Sequence, residues 1–507
     1  MQYLLGIDNG GTMTKAALFT ADGAEVASAS RETPVETPQT GYYERDMDAL
    51  WETTAACIRE ALGRADIDGA AVMGVGCTGH GKGLYLWGRD GCPAAKAVAS
   101  TDKRALSIVS DWERRGVAQA AAARTLQPVT ACQPAALLAW FQQNRPAVLE
   151  NTRWIFEAKD YIRFRLTGEA LAEATDYSGT SLMDLHTGGF SRELLELWGL
   201  RELYDRLPPP CLSYDNAGCV TREAAKQTGL LPGTPVCGGM FDIDACAVAM
   251  DVTVPERLCS ITGTWSINEY PSPLPAPGGG TTRTSLFCVP GLYLIEESSP
   301  TSAGNLEWVL QQFMRAEGQE AKQKGNRLYD MADSLVGGCP PETCDAVFLP
   351  YLYGCPEDIP VQAAFIGLNS AHSIRHILRA VYEGVVFSHL AHIEKLLSLR
   401  QPPEAVRLAG GAVNSRIWTQ MFADILGLPV ETVRTRELGA KGSAMAAAVA
   451  TGLYRDYHEA AAGMVRVAER ILPQDNHRAV YRRKYERYRQ ASRLLMDMEV
   501  TQPCLRN

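Results

Sequence analysis

The chain has 507 residues and a net charge of −9 at pH 7, with 46% hydrophobic and 21% charged residues. That length exceeds what one core supports, so two domains are expected, and the composition excludes disorder, collagen and a coiled coil. The acidic balance excludes a general nucleic-acid surface, and no run approaches the roughly 18 apolar residues of a membrane span. The opening segment Met1–Asp8 lacks a basic region and reaches a carboxylate at once, so no leader peptide is expected. None of the fourteen cysteines forms a C-x-x-C pair, and several sit in apolar stretches: Cys57, Cys77, Cys246 and Cys259. They read as reduced, buried small hydrophobes in a cytoplasmic chain.

The chain opens on a strand–turn–strand pattern. Tyr3–Ile7 is apolar, Asn9-Gly10-Gly11-Thr12 interrupts it, Lys15–Phe19 resumes, and Asp22-Gly23 turns into Glu25–Ser30. An antiparallel meander is expected there. Asp46 or Asp48 then caps a helix with Leu50, Cys57, Ile58, Ala61 and Leu62 on its apolar face, and Gly63 closes it. The device recurs downstream: Arg257–Ile261 is strand-like, Thr262-Gly263-Thr264 turns, and Trp265–Ile267 continues. Pro271–Gly280 reads as a surface loop. Val406–Ala409 forms a strand entering Gly410-Gly411-Ala412. Asn414 or Ser415 caps a helix carrying Ile417, Trp418, Met421, Phe422, Ile425 and Leu426, Gly427 ends it, and Pro429–Val433 is the next strand. Alternating strands and helices indicate an α/β fold, and two halves that open alike indicate an internal duplication around a cleft. The domain boundary falls near residue 250, giving domains 1–250 and 251–507.

Five constellations carry chemistry. Asp8-Asn9-Gly10-Gly11-Thr12-Met13-Thr14-Lys15 combines a tight turn, hydroxyl donors and a cation that suit an anion, and Asp8 stands where it can hold Mg²⁺ through water. It is neither a P-loop nor a dinucleotide fingerprint. Thr262-Gly263-Thr264 occupies the matching place in the other half. In Gly410-Gly411-Ala412-Val413-Asn414, a glycine backbone can approach a flat base. Val236–Asp244 delivers two carboxylates, Asp242 and Asp244, to the start of the small-residue helix Ala245–Met250. A helix-capping role and a general-base role are both open for them. Finally, His80 lies between glycines in Cys77-Thr78-Gly79-His80-Gly81-Lys82-Gly83, with Lys82 beside it. Asp102-Lys103-Arg104 fits a solvated helix start equally well.

Together these motifs, in this order, resemble the FGGY carbohydrate kinases, ATP-dependent sugar kinases of the actin-like ATPase superfamily. Gly6–Thr12 looks like the first phosphate loop, and Lys159–Glu169 with Thr175–Ser178 is similar to a distinctive family stretch. Thr262-Gly263-Thr264 looks like the second phosphate turn, Gly410-Gly411-Ala412 like the adenosine loop, and Leu438–Ala444 like the closing segment. The resemblance implies two ribonuclease-H-like domains around a central cleft, with ATP, Mg²⁺ and sugar meeting there.

It also implies roles. Asp242 matches the catalytic base, while Asp244 is structural. Gly10, Gly11, Thr12, Thr14, Lys15, Gly263, Thr264, Gly410, Gly411, Ala412 and Asn414 match nucleotide-contacting positions, and Asp8 the metal site. His80, Lys82, Gln133 and Asp102 are the sugar-contact candidates beside Asp242. Gly81-Lys82-Gly83-Leu84 and Ser298–Ala303 look most like the L-xylulose and 3-keto-L-gulonate kinase branch. Two departures stand out: Pro360–Phe365 replaces a segment that often carries an Arg-Gly pair, and Trp265 replaces a smaller residue. The expected reaction is transfer of the γ-phosphoryl group of MgATP to a terminal hydroxyl of a ketose or keto-sugar acid. A polyol kinase, a catalytically silent sugar sensor and a chaperone-like ATPase are the alternatives. The expected partners are sugar and ATP, with neither nucleic acid nor membrane, and a homodimer is compatible with the family.

Overall fold

The structure, a computed structural model, describes residues 2–277, 281–355 and 361–501. Gly278–Gly280 of the expected loop and Pro360 of the departing segment lie outside the described residues, and Pro271 and Ser272 end a strand. The chain divides into two compact units, each assembled from separate stretches. Unit one comprises Met1–Thr253, Pro271–Leu294 and Thr435–Val465; unit two comprises Val254–Tyr270, Ile295–Arg434 and Arg466–Asn507. Two later segments return to unit one because their small and apolar residues pack on it.

Unit one is built on a sheet in the order Asn216–Cys219, Pro235–Cys237, Val72–Gly79, Tyr3–Asn9, Met13–Thr20, Glu25–Glu32. The last three form the expected meander. Tyr3–Asn9 pairs in parallel with Val72–Gly79, with Asp8 opposite Thr78, and antiparallel with Met13–Thr20, with Asp8 opposite Lys15. The short strand Met240–Phe241 adds in parallel at the far end of Val72–Gly79, with Phe241 opposite Gly79. Asp8, His80 and Asp242 thus all emerge at the carboxyl ends of parallel strands, where open α/β sheets hold ligands.

The first helix, Met47–Ala65, starts on Asp46, whose carboxylate accepts the Ala49 N–H at 2.9 Å. It passes Gly63 and stops at Asp66, which takes the left-handed conformation itself (φ 52°). An aspartate tolerates that region better than most residues, so the glycine was not needed as the stop. The glycines of Leu438–Ala450 do have a clear use. A Cβ on Gly442 would overlap the Ala245 carbonyl, and one on Gly439 would stand 2.5 Å from the Asp8 carboxylate. Gly6 likewise admits the Ala440 carbonyl. This helix can therefore lie directly on the Asp8 strand and the helix that begins at Asp242.

Unit two repeats the arrangement. Its strands run Tyr293–Ser299, Ser266–Ser272, Leu258–Thr262, Val406–Gly410, Val430–Val433, Val467–Ile471. Leu258–Thr262 again forms a hairpin on one side and a parallel pair on the other, with Thr262 opposite both Ser266 and Gly410. Ser415 caps the helix Arg416–Leu426 by accepting the Trp418 N–H, and Gly427 ends it at φ 65°. Trp418, Met421 and Phe422 are buried as the periodicity predicts, in a core centred on the long helix Ile374–Leu397. The fold is α/β in both units.

No helix among the described residues is long and apolar enough to cross a membrane. Cys57, Cys77 and Cys259 are buried free thiols and Cys246 is half-buried, whereas Cys92 and Cys219 are exposed.

Candidate active site

The glycine run before Asp242 is shaped by close approach. A side chain on Gly238 would meet the Leu212 carbonyl, and one on Gly239 (φ +80°) the Cys77 carbonyl. The chain can therefore pass between strands and start the helix Asp242–Ala249 at the sheet end. The two carboxylates there have separate fates. Asp244 is buried, and its Oδ1 accepts the Cys288 N–H at 3.0 Å, tying the returning segment 271–294. Asp242 is half-buried, and the hydrogen bond given for its carboxylate comes from the neighbouring Ile243 N–H. Burial raises its carboxyl well above the usual range, the charges of Asp8 and Asp176 add to that, and Lys82 pulls it back. A carboxylate so placed is basic and has an oxygen left for a hydroxyl.

Asp8 faces it from the first strand. Burial raises its pKa to about 6, against the lowering effect of Lys15. Lys15 forms a 2.8 Å ion pair with Glu437 in the returning segment. Burial works against the lysine's charge, but Glu437 outweighs it and the pKa rises, so Lys15 stays cationic. Gly11 and Thr12 are exposed at the turn. Thr14 is fully buried and shares hydrogen bonds with Asn9 at 3.2 Å and Thr33 at 2.8 Å. Its hydroxyl supports the turn from inside, so the turn offers its backbone and Thr12 to a ligand.

The loop after Val72–Gly79 presents His80 and Lys82. His80 is buried, and burial followed by the Arg45 charge lowers its pKa to about 3, so the imidazole is neutral. Its Nε2 meets the Tyr85 hydroxyl at 2.9 Å, and its Nδ1 has no partner. Lys82 adopts φ +64°, a left-handed conformation that costs about 1–2 kcal/mol outside glycine. Among the described residues it forms no ion pair; it is half-exposed, and its charge reaches Asp242.

Gln133 and Asp102 are otherwise employed. Gln133 Oε1 accepts from the Thr130 N–H (2.8 Å) and Ser181 Oγ (3.1 Å), and Nε2 donates to Gln127 Oε1 (3.1 Å) and the Gly179 carbonyl (2.8 Å). Asp102 is buried, not a solvated helix start. It accepts the Tyr43 N–H at 2.7 Å and three bonds from Arg104, whose guanidinium stacks on Tyr42 and Trp140. Neither side chain has capacity left that is not already bonded to protein.

In unit two, Thr262 joins the two candidate nucleotide loops. Its hydroxyl donates to the Ala409 carbonyl at 2.8 Å and accepts the Ala412 N–H at 3.0 Å. Gly410 (φ +88°) is required because a Cβ would overlap the Thr262 backbone. Gly411, Asn414 and Thr264 are exposed and Gly263 is half-exposed, whereas Ala412 is buried. Both strands of the hairpin are tied to His389: Nδ1 meets Ser260 Oγ at 2.9 Å and Ser266 Oγ at 3.1 Å, and Nε2 meets Ser302 Oγ at 2.9 Å.

Several of these residues escaped the sequence reading. Arg45, Glu437 and His389 act through partners far away in the chain, and no local spacing announces them. The charged stretch around Lys159 was visible as a motif, but its burial was not. Lys159 pairs with Asp160 (3.0 Å), Glu173 (3.3 Å) and Asp176 (3.2 Å), and Arg163 with Asp160 (2.8 Å), all inside unit one. This cluster touches the site twice. Thr175 Oγ1 accepts the Phe241 N–H at 2.9 Å, and a Cβ on Gly81 would be 2.8 Å from Asp176 Oδ1.

Residues 3–249 match the FGGY family of carbohydrate kinases, N-terminal domain, and residues 258–451 its C-terminal domain. The chain is 32% identical over 498 residues to the L-xylulose/3-keto-L-gulonate kinase of Escherichia coli strain K12, covering 96% of each. It is 33% identical over 505 residues to a probable L-xylulose kinase of Pasteurella multocida, covering 98% of this chain and 100% of that one. A xylulose kinase from Rhodospirillum rubrum superposes with a TM-score of 0.87 at 27% identity, covering 98% of this chain and 99% of the other. With both halves matched and relatives aligned along almost the whole length, the chain belongs to the FGGY family of carbohydrate kinases.

Proposed function

We propose that this enzyme, an ATP-dependent sugar kinase, uses Asp242 to accept the proton of a terminal hydroxyl on a ketose or keto-sugar acid as that oxygen attacks the γ-phosphorus. The observation that carries this reading is Asp242 itself: a basic, half-buried carboxylate at the carboxyl end of a parallel strand that, among the described residues, stands in no ion pair and is bonded only to the adjacent Ile243 N–H. Backbone N–H groups and hydroxyls at Thr12, Gly263 and Thr264 are the groups suited to hold phosphoryl oxygens, where charge spreads in the transition state. Lys15 supplies a fixed positive charge, and Gly410–Ala412 with Asn414 takes the adenosine. Magnesium is the ion that accompanies ATP. Asp8 fits as its holder through water, being a half-buried carboxylate with no hydrogen bond inside the protein. When bound, the ion neutralises phosphate charge.

His80 and Lys82 contact the acceptor in this reading. Asp102 and Gln133 shape its surroundings through Arg104 and the Gln127–Ser181 network. A cytoplasmic homodimer stays part of the proposal on the family resemblance alone. A coupled ADP-release assay over ketoses, polyols and sugar acids tests it. Turnover with L-xylulose or 3-keto-L-gulonate supports the reading, turnover with glycerol or erythritol alone replaces it with a polyol kinase, and no turnover with any acceptor leaves a sugar-sensing protein.

Lys82 makes a sharper expectation. An unpaired ammonium beside the base favours a carboxylated acceptor over a neutral one. Lys82→Met should lower kcat/KM for 3-keto-L-gulonate more than for L-xylulose, by about tenfold, the weight of one partly screened charge contact. An unchanged ratio removes Lys82 from acceptor selection.

A further inference from the structure

The unit-two hairpin that carries the turn Thr262-Gly263-Thr264 has one polar and fully buried face. Ser260 stands opposite Asn268 across the two strands, and Ser266 lies on the same face as Asn268, two residues before it. All three turn to His389, a fully buried residue of the helix Ile374–Leu397. Its Nδ1 lies 2.9 Å from Asn268 Oδ1 and within hydrogen-bond reach of both serines. On the far side of the ring, Nε2 meets Ser302, which leads into the helix Gly304–Phe313.

Donor counting fixes the direction of each bond. Asn268 Nδ2 donates to the Glu297 carbonyl at 3.3 Å, so the amide is oriented with Oδ1 toward the ring. That oxygen can only accept, and it also takes the Ser260 hydroxyl proton at 2.8 Å. Nδ1 therefore carries the hydrogen. Burial, with the nearby charge of His392, lowers the pKa of His389 to about 3, so the ring is neutral and Nε2 is an acceptor. The Ser302 hydroxyl donates to it. This tautomer follows from the bonding network. The imidazole has one donor and one acceptor, and each is spent on a different piece of chain. Both pieces border the Gly410–Ala412 loop. Thr262 bonds to it through its hydroxyl, and a Cβ on Gly411 would lie 3.3 Å from the Ala303 Cβ. An apolar side chain would fill this space without burying so many polar groups. A fully satisfied polar network, by contrast, fixes a single arrangement.

We infer that His389 is a positioning residue for phosphoryl transfer: by bridging the hairpin to Ser302, it fixes Gly263 and Thr264 where the charge of the γ-phosphoryl group develops. The inference rests on the sugar-kinase reading above, in which that turn holds phosphoryl oxygens. Donors held in place by a rigid ring need no reorganisation at the moment of reaction. Adenosine binding is spared when the bridge is cut, because Thr262 holds the Gly410–Ala412 loop through its own hydroxyl.

The test compares variants of the whole enzyme by coupled ADP release, with L-xylulose or whichever acceptor of the panel is turned over, and by calorimetric titration with ADP. His389→Asn keeps a donor near the Nδ1 position and loses the bond to Ser302. His389→Gln keeps an acceptor near the Nε2 position and loses the hairpin. Ser302→Ala cuts the bridge from its other end. Each should lower kcat by about 10–100-fold, the weight of a small misplacement of the reacting groups, while KM for the acceptor and affinity for ADP stay near wild type. His389→Asn combined with Ser302→Ala should lose no more than either alone, because both break one bond. His392→Gln is the control. That histidine is equally buried in the same helix, where it meets Ser299 Oγ at 3.0 Å and Glu297 Oε2 at 3.2 Å, and its loss should lower the melting temperature without lowering kcat. His389 variants that melt earlier but turn over normally overturn the inference and leave the kinase reading standing. So does an equal loss of kcat at His392, or a loss of ADP affinity in step with kcat. A wild type that phosphorylates no acceptor sinks the kinase reading first and this inference with it.

Discussion

Replacing Asp242 with Asn is expected to lower kcat by about 10²–10⁴-fold, the weight of a positioned general base, with affinity for ADP retained. The side chains are nearly isosteric, so the helix start and the fit against Gly442 are kept. What disappears is the capacity to take a proton. The same change should stabilise the protein, and the sign follows from linkage. The folded-state pKa of Asp242 is raised by burial and by Asp8 and Asp176. The native state therefore binds the proton more tightly than the unfolded chain. The carboxyl costs stability as pH climbs through the interval above the ordinary aspartate value, and that penalty persists at neutral pH. A neutral Asn carries no such penalty. Higher thermal stability with collapsed turnover is the expected pair, measured by calorimetry and coupled ADP release. Near-normal turnover, or a variant that loses ADP binding in parallel, would remove Asp242 from the role of base.

The largest loss of stability is expected at Lys159. Four buried carboxylates, Glu157, Asp160, Glu173 and Asp176, share the interior of unit one with two cations, Lys159 and Arg163. Burial opposes the lysine's charge, but the carboxylates prevail and hold its pKa above the usual value. Burial and neighbouring carboxylates push Glu157 and Asp176 upward. Lys159→Met leaves Asp160 with Arg163 and takes from Glu173 and Asp176 the cation each is paired with. Removing one member of a buried ion cluster costs about 3–5 kcal/mol. The guanidinium midpoint of unit one should fall accordingly, and kcat should fall with it, since Thr175 holds the amide of Phe241 immediately before Asp242. A midpoint equal to wild type would mean that the cluster discharges itself by protonation.

Local chemistry made much of this molecule legible before any coordinate. The N-terminal meander, the second hairpin at Thr262, and the strand–helix–strand run from Val406 to Val433 follow from alternation, glycine turns and caps. Boundaries were less secure where two residues could do one job. Asp66 closes the first helix instead of Gly63, and Ser415 rather than Asn414 caps the later one. The site was read less completely than the fold. Asp242 and Lys82 stand in no ion pair among the described residues, as a sequence reading hopes. Gln133, Asp102 and Thr14 carry the right functional groups, but distant residues already occupy them: Gly179 and Ser181, Tyr43, Thr33. Arg45 shows the reverse failure. It sits in an unremarkable stretch, Glu44-Arg45-Asp46, and its importance comes only from folding it against a turn at residues 10 and 11. Spacing along a chain reveals what one element can do, and pairing between elements stays hidden.

The return of Thr435–Val465 to unit one also sets an order of events at the ribosome. Gly6 waits for the Ala440 carbonyl, and the helix that begins at Asp242 waits for Gly442. Synthesis proceeds at about 5–20 residues per second, so the first strand exists for a time on the order of a minute before its covering helix is made. Through that interval its apolar residues have no final partner on that side. A chain cut short before residue 435 should consequently be captured by chaperones or aggregate, even though it contains the whole of the first 250 residues and Asp242.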